Sequence, residues 1–148
     1  LLRSRHVLIM RKGHPLEALS HERALEAADI EPYSRIGIVF KKASGGGFRE
    51  ILDENAVKAR YSVTMPHFLA AAFFLVDSDD LLTLPLETAN FLEKILPVTH
   101  CEDPFYRTCP WDPVMIWHER THKSPAHEWL RAVLAEEAGR LPPWLGKR

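Results

Sequence analysis

The stretch Tyr61-Ser62-Val63-Thr64-Met65-Pro66-His67-Phe68-Leu69-Ala70-Ala71-Ala72-Phe73-Phe74-Leu75-Val76 decides the fold class. Its first five residues have high β-propensity and read as a strand. Pro66 presets φ and has no N–H to donate, so it opens the helix that follows, over 67–76. That helix is apolar almost all round, which predicts burial. Asp77-Ser78-Asp79-Asp80 makes a turn, Leu81 to Leu84 a short buried strand, and Pro85 starts another helix, Leu86 to Leu96. Strands alternating with helices define an α/β architecture.

The same alternation continues toward the N-terminus. Arg5 to Met10 is a strand, stopped by Arg11-Lys12-Gly13-His14-Pro15. Leu16, Leu19, Ala24, Leu25 and Ala28 keep helical spacing, with Ser20 as an N-cap candidate. Ile36-Gly37-Ile38-Val39-Phe40 is a continuous apolar run of strand length, the pattern of strands buried on both faces. Ser44-Gly45-Gly46-Gly47 follows, then a helix from Phe48 to Val57 with Phe48, Ile51 and Leu52 on one face. These elements predict a mostly parallel sheet in which residues 35–40, 60–65 and 81–84 are neighbouring strands. Residues 97–112, rich in proline and aromatic residues, read as a loop or crossing segment. A strand over Val114 to Trp117 and a helix capped by Ser124 and opened by Pro125 close the chain.

Bulk properties narrow the function. The chain has 148 residues, enough for one ordinary domain with a real core. It is 46% apolar and 26% charged with a net charge of −1, so no general electrostatic attraction to nucleic acid or membrane is expected. The longest apolar run, Phe68 to Val76, is far too short to span a bilayer. Two cysteines, Cys101 and Cys109, make no disulfide framework, which points to a reducing cytoplasm. No signal peptide is visible, and a start at Leu1 suggests part of a longer polypeptide.

One motif invites an enzymatic reading. His118-Glu119-Arg120-Thr121-His122 matches the H-E-x-x-H pattern of zinc hydrolases, which needs both imidazoles on one helical face. The apolar run before it suits a strand, and Ser124-Pro125 starts a new helix after it. On that reading the histidines lie at a strand end and in a turn, with no metal, no cofactor and no catalytic role.

Ligands of open α/β sheets bind beyond the carboxyl ends of strands. That rule selects Lys41 to Phe48, Met65 to Phe68, and Thr83 to Leu86. In the first, Ser44, Gly45 and Gly46 would present N–H groups at a helix N-terminus, a place for a carboxylate, with a flexible turn as the alternative. The loop has neither a Walker lysine nor the dinucleotide glycine spacing. In the second, Met65, Pro66, His67 and Phe68 form another strand-to-helix junction, where His67 adds a hydrogen bond or is merely structural. Phe48 or Phe68 would cover an apolar body. Arg35 is a further candidate, with a solvated surface charge as the alternative.

Several segments together resemble one family. They are Arg11-Lys12-Gly13-His14-Pro15-Leu16, Pro66-His67-Phe68-Leu69-Ala70, Asp79-Asp80-Leu81-Leu82-Thr83-Leu84-Pro85, Trp117-His118-Glu119-Arg120, and Pro125-Ala126-His127-Glu128-Trp129-Leu130-Arg131. In this order and spacing the chain resembles the C-terminal effector-binding region of LysR-type transcriptional regulators, most of all the branch responding to small organic or aromatic acids. The resemblance implies a periplasmic-binding-protein-like fold of two α/β lobes joined by two crossing strands, with the effector between them. Residues 16–105 would be lobe two, nearly complete, and residues 1–15 and 106–148 parts of lobe one. It also implies promoter DNA as a partner, through a winged helix-turn-helix outside this chain, a homo-oligomer, and no membrane. The alternatives are a free-standing solute-binding protein, the zinc hydrolase above, and a bare structural fragment.

Overall fold

The computed structural model describes residues 1–38, 60–107 and 110–141. The expected helix over 48–57, the end of the strand at Val39-Phe40 and the Gly-rich loop lie outside the described residues. In chain order the elements are β1 (Ser4–Arg11), α1 (Pro15–Glu22), α2 (Ala27–Ile30), β2 (Arg35–Ile38), β3 (Tyr61–Met65) and α3 (Phe68–Leu75). They are followed by β4 (Leu82–Pro85), α4 (Leu86–Ile95), β5 (Val98–Glu102), β6 (Pro110–Trp111), a 3-10 turn (Glu119–Thr121) and α5 (Pro125–Arg140). The class is mixed α/β, as the alternation predicted.

β1 is the organising strand. It pairs antiparallel with β4 on one side, Val7 opposite Leu84, and with β5 on the other, Val7 opposite Glu102. Successive side chains point to opposite faces, so β1 divides the core in two. Val7 and Ile9 join Leu82, Leu84, Val98 and the inner faces of α3 and α4. Leu8 and Met10 join Leu16, Leu25, Ile30 and Leu81 beneath α1 and α2. All four β1 residues are fully buried. Each contributes on the order of 1.5–3 kcal/mol by leaving water.

The mostly parallel sheet expected from the sequence is present only in part. β2 and β3 pair in parallel, and a parallel bridge joins Arg35 to Leu81. The strands around β1 are all antiparallel to it. A central strand covered on both faces is an unbroken apolar run whichever way its neighbours point, so composition carries no information on direction. β5 was expected as loop. Its burial runs from buried Val98 to half-buried Thr99, His100, Cys101 and Glu102, too polar a pattern to read as core.

Local details differ in the same physical spirit. Ser20 does not cap a helix: it lies inside α1, and its Oγ donates to the Glu17 carbonyl. The cap is His14, whose Nδ1 accepts from the Leu16 N–H at 3.0 Å. Its Nε2 lies 3.2 Å from the Asp79 carbonyl and its ring 4.6 Å from that of Tyr33. Gly13 precedes it at φ 73°, a left-handed conformation that a side chain would strain. Gly37 lets β3 approach, since a Cβ there would stand 3.0 Å from both Thr64 and Tyr61. α3, expected to be buried all round, buries only Ala71, Ala72 and Leu75. Leu69, Phe73 and Phe74 remain exposed.

The C-terminal stretch departs most from expectation. Val114 to Trp117 form no strand, and the 3-10 turn follows directly. α5 begins at Pro125 after Ser124, as expected, but Ser124 makes no side-chain capping bond and no residue of α5 is buried.

Candidate functional site

The carboxyl ends of β3, β4 and β5 and the amino end of β1 meet along one edge, because β1 runs against its two neighbours. Met65 and Phe68 are half-buried against the core, while Pro66 and His67 are exposed on the edge. His67 takes the N-cap position of α3 with extended backbone, and its side chain makes no capping bond. The His67 imidazole therefore does not cap the first turn of α3. Nearby along the edge, buried Ser4 donates through Oγ to Glu87 Oε2 at 2.5 Å, in the first turn of α4. Arg5 pairs with Glu102 at 3.4 Å, and Arg107 pairs with the same carboxylate. Ser44, Gly45, Gly46 and Phe48, the other expected contacts, lie outside the described residues.

Arg35 is not with this group. It starts β2 opposite Tyr61, at the far end from Met65. It is also no solvated surface charge, since its side chain is only 4% exposed. Its Nη1 donates to Thr83 Oγ1 at 3.4 Å, and its Nη2 stands 3.8 Å from Asp103 Oδ1. Its guanidinium lies 4.9 Å from the centre of the Phe105 ring. Thr83 donates to Asp103 Oδ2 at 2.7 Å, and Asp103 Oδ1 accepts from the Phe105 N–H at 3.0 Å. Beside them His6 packs on Tyr106, ring centres 5.2 Å apart. Burial pushes the His6 imidazole below its usual range, against the opposing pull of Asp103 and Glu87.

The sequence reading missed this buried polar cluster. Two signals were present: Thr83 is the lone polar residue inside the apolar Leu81–Leu84 run, and Asp103-Pro104 has the composition of a side-chain-capped turn. The partnership itself is nonlocal, joining residues 48 and 20 positions apart.

At the zinc-like motif the expected turn is present, but the strand end before it is not. Residues 119–121 form a 3-10 turn with His118 as its cap. His118 Nδ1 accepts from the Arg120 N–H at 3.0 Å, and His122 Nδ1 accepts from Trp117 Nε1 at 3.2 Å. His122 stacks on Trp117, and the Arg131 guanidinium lies 4.8 Å over the same indole. Among the described residues no group of three or more metal-ligating side chains comes together. Cys101 is a half-buried thiol pushed up to about 12 by desolvation and by the carboxylates of Asp103 and Glu102, which keeps it protonated.

Solved structures share this fold. The chain superposes on the regulatory domain of MexT, a transcriptional activator in Pseudomonas aeruginosa, with TM-score 0.61 and 18% identity, covering 91% of this chain and 62% of that one. It superposes on the effector-binding domain of QuiR in complex with shikimate with TM-score 0.63 and 12% identity, covering 95% and 64%. In sequence it is 30% identical over 142 residues to the HTH-type transcriptional regulator SyrM 1 of Sinorhizobium fredii, covering 93% of this chain. The chain is thus a homologue of the LysR-type transcriptional regulators, as its motifs indicated. It spans 40% of the length of SyrM 1. No family model matches the chain.

Proposed function

We propose that this chain is the effector-sensing part of a LysR-type transcriptional regulator, a binding module without catalysis of its own. The observation that carries the reading is the 30% identity to SyrM 1 across 93% of the chain, on the fold of a shikimate-binding regulatory domain. Occupation of the site would shift two lobes against each other and bias the promoter-bound oligomer, a coupling between sites.

Lobe two would comprise residues 16–105 and also Ser4–Arg11, which the resemblance assigned to lobe one, because β1 pairs with β4 and β5. Lobe one would include the stretch from residue 112 onward. β1 and β6, paired at Ser4–Trp111 and Arg5–Pro110, would be the two crossing strands. A small organic acid would bind at the edge through Met65, Pro66, His67 and Phe68, together with Ser44, Gly45, Gly46 and Phe48. The helix N-terminus at His67, with its partial positive charge, supports a carboxylate there. Half-buried Phe68 supports an apolar body beside it. Arg35, enclosed by Asp103 and Phe105, is left out of the contact set.

The test is His67→Ala in the whole regulator, with titration of a panel of aromatic and alicyclic carboxylates and measurement of acid-dependent transcription. Reduced affinity and a weakened transcriptional response are expected. Wild-type values for both, in a folded variant, would remove His67 from the site. Lack of binding by the wild type to every acid in the panel would overturn the ligand class itself.

A further inference from the structure

The geometry points to Asp103 as the positioning residue of a clamp that binds the second crossing segment to lobe two, so that hinge motion begins only beyond Arg107. This inference rests on the two-lobe reading above. β5 runs along β1 as far as Glu102, and the chain pairs with β1 again at Pro110 and Trp111. Residues 103–107 in between are tied down. Asp103, fully buried, accepts from Thr83 of β4 and from its own Phe105 N–H, and faces Arg35 of β2. Phe105 lies under the Arg35 guanidinium, and buried Tyr106 packs on His6 of β1. Arg107 donates to the Leu25 carbonyl between α1 and α2 and pairs with Glu102.

A buried carboxylate is stable only while its partners are in place, because an unpaired charge in a low dielectric is strongly disfavoured. Here those partners sit on two different strands, so Asp103 registers the relative position of β2 and β4. Thr83 is the joint: its hydroxyl donates to Asp103 and accepts from Arg35. A displacement of β2 or β4 on the effector side would reach the crossing segment through this hydroxyl, not through the backbone alone.

The experiment is hydrogen exchange of the 148-residue chain, peptide by peptide, for wild type, Thr83→Val and Thr83→Ser. Thr83→Val keeps the shape and removes the hydroxyl. It should speed exchange over residues 103–107 about tenfold, the scale of one hydrogen bond to a charged group. β1 and α4 should keep wild-type rates, and Thr83→Ser should restore protection. If 103–107 is unchanged, or if β1 and α4 accelerate equally, the clamp is wrong and the cluster merely supports the core. Should Thr83→Val not fold, Asp103→Asn keeps the acceptor but loses the charge. Faster exchange confined to 103–107 would then support the clamp, and its absence would overturn it. The two-lobe reading has its own readout in wild type, where residues 113–140 should open independently of residues 4–100. Opening as one unit would overturn that reading and the clamp with it.

Discussion

The body built around β1 and the stretch after Asp112 use similar residues to opposite effect. In the body, alternate residues of one strand are shared between two apolar clusters, and Val7, Leu8, Ile9 and Met10 have no exposed surface. After Asp112 no described apolar residue is buried, and several stand in solvent: Ile116 is 88% exposed, Trp129 67% and Val114 69%. The two regions show that apolar content alone does not make a core. What makes one is a second layer on each face, which β1 has and α5 lacks among the described residues.

The largest effect that would sharpen this contrast comes from emptying the core. Leu84→Ala should destabilise the body by about 2–5 kcal/mol, the cost of a lost side chain plus the cavity left behind. Urea unfolding followed by circular dichroism measures it, and a loss near zero would break the contrast. Next comes the buried ion pair. Arg35→Met leaves the Asp103 carboxylate without its cation and should cost about 3–5 kcal/mol. The double variant Arg35→Met/Asp103→Leu should recover part of that loss in the same assay, because neither partner is then charged, while Thr83 and the Phe105 N–H lose their acceptor.

Acid should separate the regions a third way. His14 is held below its ordinary value, first by burial, and His6 is likewise lowered by desolvation. In the unfolded chain both take up protons near 6.5, whereas in the folded body they resist doing so. Their contribution to stability is therefore complete above 6.5 and lost as pH falls below it toward the folded-state values. His14 has a structural reason to stay neutral, since its Nδ1 must accept from Leu16. The urea midpoint should fall between pH 7.5 and 5.5, and His14→Asn, which keeps a capping acceptor, should flatten the fall. An unchanged slope would detach acid sensitivity from this cap. The smallest effect is expected at α5: Trp129→Ser should alter the stability of the body by no more than about 0.5 kcal/mol. A loss of several kcal/mol would show that this face is covered after all.

How much of this could be read beforehand depended on range. β1, β3 and α4 were legible, because apolar runs and a proline start are local signals. So was the start of α5, from Ser124-Pro125. The direction of pairing around β1 was not legible, because an apolar strand looks the same from either direction. β5 was missed because its half-buried residues are mostly polar. At the candidate edge, the placing of Met65 to Phe68 between a strand and a helix was legible, from the β-rich run and Pro66. Arg35, Thr83 and Asp103 assemble from three separate segments, and only the folded register brings them within hydrogen-bonding reach.

The pairing of Ser4 with Trp111 has a practical consequence. Register partners on antiparallel strands have Cα atoms only about 4.5–5.5 Å apart. Everything between them is therefore an insertion whose entry and exit share one doorway. An exchange of modules between related regulators that cuts at this pair needs no new linker and leaves β4 and β5 seated on β1. A cut a few residues later in the sequence, inside β1, would carry away the strand on which both halves of the core depend.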